Sequence, residues 1–551
     1  MLYNIHRYYS TYPGVCQYNS EYFLYFDKIC LSGRQDRRTH QIVFCNIIEE
    51  NVTMSETKNL KNLTRTVSLL LCLLSAASAF SCGETPQTDD TQSSTATSDE
   101  SSTEETSDLP ASIAALPKCD ETTEITMLTT VHAEYEFGND ELSGDVVNDA
   151  AEERNRVVED LLNVKLNYVV KPGHWADKDS FCNLISTSVM AGDGAYDIVN
   201  GVMVCVMPTI TDGLYMNIYD VPNINIENDW WVGGLDTQAS VAGKLFAVTG
   251  DAQLSLYKDQ ACMYFNRRIL NENNLDDPYA LVRSGDWTLD NMTSMALTAA
   301  KDLNGDGSLT PEDDLLGYIA QLTVNRSLQE GFGLSLFTDD KNGNISFTGV
   351  TEKYADAYAK MWSFFVGNPA TYIYNEHEPI NAMFMSGRAL FNTNFLSATD
   401  NFRDMADDFG IVPMPKYDKA QDSYHTRIGT STSMFFIPKT VSDAGTVGAV
   451  CEALGYYGMT DVVPTWYEIA LKEKYTRDED TKDMVDLIRA SASIAFDCVF
   501  SQNMSEATST YFEFYEDNKN IGENITSYVE KKLTKIKTEL EKLNETVANL
   551  D

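Results

Sequence analysis

Short apolar runs alternate with amphipathic periods along the chain after about residue 120. The runs at 125–131, 164–170 and 196–202 have the apolar and β-branched composition of strands. Between them, apolar residues recur at helical spacing over 145–163 and 181–192. This β-α-β-α-β order predicts a parallel sheet with helices on its faces, and therefore the α/β class.

The middle and the end of the chain continue this pattern. Residues 287–303 have helical spacing, with Thr288 or Asp290 near the start. Strand-like runs follow at 387–395, 409–417 and 433–440. Along 528–550, apolar residues recur at alternating intervals of three and four, which predicts a long amphipathic helix. This helix either packs against the rest of the chain or pairs with a coiled-coil partner.

The stretch before Cys82 has the pattern of an export signal. Three basic residues precede an apolar run over 67–79 that is too short for a comfortable membrane span. Small residues then lead to Cys82 in an order similar to a bacterial lipobox, whose cysteine is diacylated. We predict a signal peptide at 54–81 and a lipid anchor on Cys82, which places the protein on the outer face of the cell membrane. The alternatives are an uncleaved anchor, or cleavage near Ala79 without lipid.

The segments on either side of this signal differ from the rest of the chain. The stretch that follows Cys82 is acidic, has few apolar residues and contains neither Lys nor Arg up to Pro110. It cannot bury enough surface to offset chain entropy, so 82–118 is predicted to be a disordered linker. A signal peptide works at a chain terminus, so Met54 is a better start than Met1. Residues 1–53 are therefore interpreted as a leader from a misplaced start codon or a disordered segment, the alternative being a small cytosolic segment.

Composition narrows the function classes. A hydrophobic fraction of 43% and an aromatic fraction of 11% are typical of a globular protein with a core. The formal net charge of −41 repels nucleic acid and anionic lipid headgroups, so nucleic-acid binding is excluded as a function. Six cysteines follow Cys82 without a CxxC pair, which gives no support to a zinc or redox site. We expect buried free thiols, with at most one disulfide.

Seven stretches carry a family resemblance. Together they resemble the bacterial extracellular solute-binding protein family 1, the sugar-type binding lipoproteins of ABC importers, over about 122–500. The resemblance implies a two-lobed periplasmic-binding-protein-like fold (type II) with C-terminal helices. It also implies a carbohydrate held between the lobes, delivery to an ABC permease, and no enzymatic activity. The stretches are 148–166, 191–199, 264–292, 384–391, 408–424, 437–458 and 463–488.

By analogy with that family, the lobes are discontinuous in sequence. The chain is expected to cross between them near Asp251–Leu256 and again near Arg427–Thr432. The predicted organisation assigns 119–250 and 430–465 to lobe 1, and 251–429 and 466–551, with the C-terminal helix, to lobe 2.

The segment 302–313 has the spacing of an EF-hand calcium loop. Alternate oxygen-bearing side chains converge on one cation, and a glycine at the sixth place permits the sharp turn. The expected ligands are Asp302, Asn304, Asp306, Asp313 and the backbone carbonyl of Ser308. We predict a structural calcium ion here, the alternative being a solvated turn without metal.

Sugar recognition pairs aromatic faces with planar polar side chains. Trp230 and Trp231 are the strongest candidates, because two adjacent tryptophans after Asp229 rarely both bury in one core. Arg388 is either a cleft residue or a surface charge at a strand end. The candidate ligand-binding residues near the expected crossings and cleft loops are Trp230, Trp231, Asp251, Tyr257, Asp259, Asn394, Trp466 and Tyr467.

Enzyme signatures are missing from the sequence. It contains no GxxxxGK[ST], GxSxG or HExxH motif, and no GxGxxG after a strand. The histidines are scattered and are expected to be ordinary surface residues, among them His132, His174, His377 and His425. The alternative function is a surface glycoside hydrolase or polysaccharide-adhesion lipoprotein, since cleft carboxylates can hydrolyse a glycoside.

Overall fold

A computed structural model describes residues 109–137, 145–339, 345–468, 479–516 and 524–550. The chain divides into two units, Met1–Glu105 and Thr106–Asp551, and all described residues belong to the second. The predicted signal peptide, Cys82 and most of the predicted linker lie outside the described residues. No helix within the described ranges is long and apolar enough to cross a membrane.

The described strands and helices alternate along the chain. The strands are β1 (Thr123–Thr130), β2 (Val164–Lys171), β3 (Ile198–Val202), β4 (Ala261–Asn266), β5 (Leu316–Gln321), β6 (Phe337–Asp339), β7 (Ile345–Phe347), β8 (Thr371–Tyr374), β9 (Ala389–Phe395), β10 (Phe409–Val412), β11 (Thr426–Arg427), β12 (Ser433–Phe436) and β13 (Ala492–Ser493). Helices of eight residues or more are α1 (Val146–Leu162), α2 (Lys178–Ala191), α3 (Leu289–Ala299), α4 (Glu352–Phe365), α5 (His377–Met385), α6 (Ala444–Tyr457), α7 (Glu479–Ala490), α8 (Ser505–Glu516) and α9 (Ile525–Ala548).

Lobe 1 is built on a four-stranded sheet with the order β12-β3-β1-β2. Strands β1, β2 and β3 are parallel, and β12 runs antiparallel to β3. Asp145 caps α1 by accepting hydrogen bonds from two backbone amides of its first turn. Asn163, in the left-handed conformation, ends α1 and leads directly into β2. The β-α-β-α-β order predicted for this part of the chain is confirmed.

Lobe 2 is built on a five-stranded sheet with the order β10-β4-β9-β5-β8. Strand β5 lies parallel to both β8 and β9, and β4 is antiparallel to β9 and β10. Helix α3 is shorter than predicted because Ala300 takes an extended conformation. Strand β10 ends at Val412 because Pro413 follows it, and a proline lacks the amide that a sheet ladder needs.

The chain stays in lobe 1 as far as Val248, which bridges Phe435 of β12. It then completes the lobe 2 sheet and returns to lobe 1 as β12. The two crossing segments lie side by side: Gln260 bridges Ile428, and the Gly429 amide donates to the Asp259 carbonyl over 2.8 Å. This pairing lies later along the chain than the expected crossing near Asp251–Leu256. The topology confirms an α/β chain with two discontinuous lobes.

The C-terminal segments contact both lobes. Helix α9 packs against α4 and β7 of lobe 2 and against Met207–Asp212 of lobe 1. The predicted amphipathic helix is confirmed, and its apolar residues Ile536 and Val547 are fully buried within the chain. Its apolar face therefore packs against the parent chain. The six cysteines after Cys82 are all free, and four of them are buried.

Candidate functional site

Parallel strands end at the same edge of each sheet, and this edge positions the candidate site. In open α/β sheets, ligands bind outside the carboxyl ends of the strands. At this edge of lobe 1, β1 leads into the helical turn Val131–Glu136, and β2 leads into the loop that carries His174 and Trp175. Val131 and Trp175 are about half exposed, at 54% and 51%. Large apolar side chains therefore face solvent at the strand ends of lobe 1.

Two histidines meet at this edge. The ring centroids of His132 and His174 are 4.6 Å apart, although 41 residues separate them in the chain. His174 Nε2 lies 3.2 Å from the Ser431 hydroxyl, which belongs to the second crossing segment. Burial lowers the pKa of both rings, and the charges of His174 and Lys258 lower that of His132 further. The pair is therefore neutral at pH 7 and offers ring nitrogens as hydrogen-bond donors and acceptors.

Lys258, immediately before the first crossing, joins the two lobes. Its ammonium lies 4.7 Å from the centroid of the Tyr135 ring of lobe 1. The same ammonium lies 3.3 Å from the Asp400 carboxylate of lobe 2. One side chain thus contacts an aromatic face, a carboxylate and the crossing segment, so a change in the angle between the lobes must alter these contacts.

The carboxyl end of β9 supplies the lobe 2 side. Asn394 is buried and donates from Nδ2 to Asn381 Oδ1 over 2.8 Å. The next residue, Phe395, packs against Gly429 of the second crossing. A Cβ on Gly429 would lie 2.9 Å from the Phe395 ring, so only glycine permits this close approach.

A group of unpartnered polar atoms lies at the crossing. Within the described residues, four buried oxygens on the end of β1 and the two crossing segments have no hydrogen-bond partner. Buried polar groups in native proteins almost always have a partner, either protein, water or ligand. These oxygens therefore indicate a place where the hydroxyl groups of a ligand or of bound water are accommodated. They are Thr130 Oγ1, Asp259 Oδ2, Gln260 Oε1 and Thr432 Oγ1.

The Asp259 carboxyl has an altered acidity. Burial, followed by the nearby charge of Glu136, raises its pKa to about 7, against the opposing effects of Lys258 and Arg427. Asp259 was one of the predicted ligand-binding residues, and the structure places it on the first crossing segment. At neutral pH this group can change its protonation state when a ligand covers it.

Four other predicted residues come together in a second cluster. The Tyr257 hydroxyl donates to Asp251, and burial raises the pKa of that carboxyl to about 6. The Tyr257 ring lies 6.3 Å from the Trp466 ring, and Tyr467 donates to Asp486 over 2.6 Å. The guanidinium of Arg489 is 5.0 Å from the centroid of the Tyr257 ring. The members predicted from the sequence are each under 10% exposed, and their role as ligand contacts stays a prediction.

Trp230 and Trp231 lie elsewhere, and the expectation that both would not be buried is wrong. Each is 5% exposed. Trp231 Nε1 donates to the Glu452 carboxylate of α6 over 3.0 Å, which satisfies its polar atom inside lobe 1. The Trp230 ring packs edge-on against Tyr456 of the same helix, at 5.5 Å between centroids. The Glu452 carboxylate on α6 therefore explains how the Trp231 indole is accommodated in the core.

Four residues of the candidate site were not predicted from the sequence: His132, His174, Tyr135 and Lys258. The two histidines were expected to be ordinary surface residues. His132 is exposed and His174 is half-buried, and the structure places their rings together at the candidate site. One signal was present: each histidine follows the end of a predicted parallel strand, where ligands bind in such sheets. Their contact depends on the pairing of β1 with β2, which the sequence pattern did not specify.

The predicted calcium loop folds into successive turns. Asp302 accepts hydrogen bonds from the Gly305 and Gly307 amides over 2.6 and 2.8 Å. Both glycines have positive φ, at 77° and 87°. Arg388 is a partly exposed charge at a strand end, directly before β9. Its guanidinium donates to the carbonyls of Pro311 and Glu312 and holds the end of this loop.

Another group of metal-type ligands converges elsewhere. Glu330, Asp497 and Cys498 meet in the described part of the chain, whereas the carboxylates of the 302–313 loop do not form a group of three. The guanidinium groups of Arg326 and Arg427 lie beside Glu330, at 3.6 and 3.7 Å. Two fixed positive charges occupy the position where a cation would have to bind, so this cluster is an ion-pair network.

Comparisons with known proteins give a distant likeness. No protein-family model and no curated protein matches the sequence. Similar solved structures include an ABC substrate-binding protein of Listeria monocytogenes in complex with cycloalternan, which is 12% identical with a TM-score of 0.47, over 78% of this chain and 100% of that one. A cyclo/maltodextrin-binding protein complexed with maltotetraose is 10% identical with a TM-score of 0.49, over 76% and 98% of the two chains. A sugar transporter of Rhizobium etli in an open conformation is 15% identical with a TM-score of 0.47, over 78% and 100%. At these values the likeness identifies neither a family nor a ligand.

Proposed function

We propose that this protein is the extracellular substrate-binding lipoprotein of an ABC importer, and that it captures a carbohydrate between its two lobes. The observation that carries the proposal is the group of unpartnered buried oxygens at the crossing. They lie where two discontinuous lobes meet, beside a lysine that contacts both. A ligand that formed hydrogen bonds with these oxygens would favour one angle between the lobes. The difference in this angle between the free and the bound protein is the signal that a permease can recognise.

A carbohydrate fits the chemistry of this site. Sugar hydroxyls both donate and accept hydrogen bonds, and the site offers neutral imidazoles, amides, hydroxyls and one carboxyl with a raised pKa. The rings of Tyr135, Phe395 and Trp175 provide aromatic surface for the C–H face of a pyranose. The resemblance of the sequence to family 1 solute-binding proteins points to the same ligand class.

The lipid anchor and the permease belong to the same proposal. The apolar run before Cys82 and the acidic stretch after it support a lipid-anchored protein on the outer face of the membrane. A tether of this kind keeps the two-lobed body close to a membrane permease. Mass spectrometry of the mature amino terminus tests this part, since a diacylated Cys82 is expected and an amino terminus at Met1 would contradict it.

A thermal-shift screen tests the binding function. The screen uses mono- and oligosaccharides, including maltotetraose and cycloalternan. At least one compound is expected to raise the melting temperature of the protein, because a ligand at 100 times its Kd adds about 2.7 kcal/mol of stability. No hydrolysis product is expected by chromatography. Release of product would favour a glycoside hydrolase, and a response to peptides or polyamines alone would overturn the carbohydrate assignment.

The variant Lys258→Met is expected to weaken saccharide binding at least tenfold, because it removes an ammonium group that contacts both lobes beside the unpartnered oxygens. Lys360→Met is a matched control. Lys360 lies 4.8 Å from the centroid of the Tyr417 ring and 3.4 Å from the Asp290 carboxylate, which reproduces the surroundings of Lys258 away from the crossing. Calorimetric titration with the saccharide found in the screen measures both. Equal weakening in both variants would contradict the site.

We also propose that the 302–313 loop binds a structural calcium ion. Its carboxylates, its amide oxygen and the Ser308 carbonyl are ligands that calcium prefers, and its glycines permit the required turns. Calorimetry is expected to detect calcium binding that Asp302→Ala combined with Asp306→Ala abolishes. Asp418→Ala, which removes an aspartate from a turn outside the loop, serves as the control. Undiminished binding by the double variant would show that the assignment is wrong.

A further inference from the structure

Strand β8 forms an exposed edge of the lobe 2 sheet and borders a cavity of about 490 Å³. This volume is within the range of about 300–1,000 Å³ that is typical of small-molecule sites. None of the crossing-segment residues lines the cavity, so it is separate from the candidate site described above. Its lining consists of Leu322, 365–369 and 371–375.

Two tyrosines give this cavity an aromatic face. Tyr372 and Tyr374 are two residues apart on β8, so their side chains share one face of the strand. Their rings are stacked, with centroids 5.6 Å apart and an angle of 15° between the planes. Tyr374 is 40% exposed, which is unusual for a large aromatic side chain in the described part of this protein. The exposed Tyr374 ring, backed by the half-buried ring of Tyr372, provides a flat surface for the C–H face of a sugar.

The rest of the lining is neutral and polar. Charged residues make up 22% of the chain, yet none is present among the residues that line this cavity. Asn368, Thr371 and Asn375 supply amide and hydroxyl groups instead. Among the described strands, β8 pairs only with β5, and the backbone groups on its other edge can serve as further donors and acceptors. A neutral ligand with many hydroxyl groups matches this lining better than an ion or a charged peptide.

We infer that the β8 cavity is a second saccharide-binding site, which holds one or two pyranose units of a longer glycan against Tyr374. It lies outside the crossing and goes beyond the proposed import function, because it does not depend on the identity of the imported ligand. A site of this kind keeps the protein close to a polymer whose fragments its lobes capture. An extended peptide added to the edge of β8 is the other occupant that this geometry admits.

Affinity electrophoresis in native gels tests the inference directly. Soluble starch, xylan, galactomannan and hydroxyethylcellulose are used as separate probes, and at least one is expected to retard the wild-type chain. Tyr374→Ala is expected to weaken that retardation about tenfold, because stacking on the ring is lost. Tyr219→Ala is the matched control, since Tyr219 is a 46% exposed tyrosine outside the cavity. It is expected to migrate like wild type.

Lys258→Met separates this site from the crossing. It is expected to lose saccharide binding in the thermal-shift assay while keeping its retardation by the polysaccharide. The inference is overturned if no polysaccharide retards the chain, if Tyr374→Ala is retarded like wild type, or if Lys258→Met alone abolishes retardation. Binding of an unstructured polyvaline-rich peptide, but of no polysaccharide, would assign β8 to strand addition instead. Thermal melts of Tyr374→Ala, expected to match wild type, exclude a folding defect.

Discussion

Replacing Arg326 by methionine is expected to lower the free energy of unfolding by about 3–5 kcal/mol, because it leaves buried carboxylates without their positive partner. Arg326 is 2% exposed and forms an ion pair with Asp497, and its Nε lies 3.6 Å from Glu330. Burial is the largest single influence on this guanidinium and opposes its charge. The charges of Asp497, Cys498 and Glu330 together outweigh burial and raise its pKa. Methionine keeps much of the aliphatic volume, so urea unfolding of the variant measures mainly the lost charge.

The network joins parts of the chain that are distant in sequence. Arg326 and Glu330 follow β5, Arg427 precedes the second crossing, and Asp497 and Cys498 belong to the C-terminal segment. Arg427 Nε lies 3.7 Å from Glu330 and 3.4 Å from the Cys498 thiol. The charges of Arg326 and Arg427 balance those of Glu330 and Asp497. Removal of one arginine therefore leaves a net negative charge in the buried network. The C-terminal segment is thereby fixed beside the crossing.

An exposed arginine with two carboxylates provides the control. Arg283 lies 2.5 Å from Asp480 and 3.0 Å from Asp483, but its side chain is 45% exposed. Arg283→Met is therefore expected to change the free energy of unfolding far less than Arg326→Met does. Adding Asp497→Asn to Arg326→Met is expected to recover part of the loss, since the two charges are coupled. Losses that simply add in the double variant would contradict a coupled network.

The second large effect is a pH-dependent stabilisation by Asp259→Asn. The pKa of Asp259 is raised by burial to about 7 from 3.8, which corresponds to a cost on the order of 4 kcal/mol when the group is ionised. The folded chain binds this proton more tightly than the unfolded chain. The protonated carboxyl therefore makes its full contribution to the stability of the folded chain below about pH 4. This contribution is lost as the pH rises through 7. Asparagine carries no such cost, so the variant is expected to be more stable than wild type at pH 8, and the difference is expected to shrink toward pH 4.

Asp407→Asn is expected to behave in the opposite way. A hydrogen bond from Arg268 lowers the pKa of Asp407, so its ionised form stabilises the folded chain and this contribution is lost as the pH falls. The variant should therefore be less stable than wild type at pH 8, with a smaller difference at low pH. The melting temperatures of wild type, Asp259→Asn and Asp407→Asn, measured between pH 4 and 8, test both expectations. A pH-independent difference for Asp259→Asn would show that its carboxyl has an ordinary pKa.

The sequence by itself determined the class of the fold and most of its local elements. Apolar, β-branched runs located β1, β2 and β3, and apolar residues at helical spacing located α1 and α2, because buried strands and helix faces need those residues. Elements that end at a proline were predicted too long, as at β10 and at β12, which stops at Phe436 before Pro438. Helix α9 was predicted because its apolar residues recur on one face, and such a face must pack against another surface.

Only the tertiary structure decided which of the chemically suitable residues meet. The expectation from local sequence that adjacent Trp230 and Trp231 would not both be buried was wrong, because Glu452 on a distant helix satisfies the indole of Trp231. The contact between His132 and His174 was not predicted, because it depends on the pairing of β1 with β2. Long-range pairing and burial are properties of the whole packed chain, and they set the pKa of Asp259, the contacts of Lys258 with both lobes and the exposure of Tyr374.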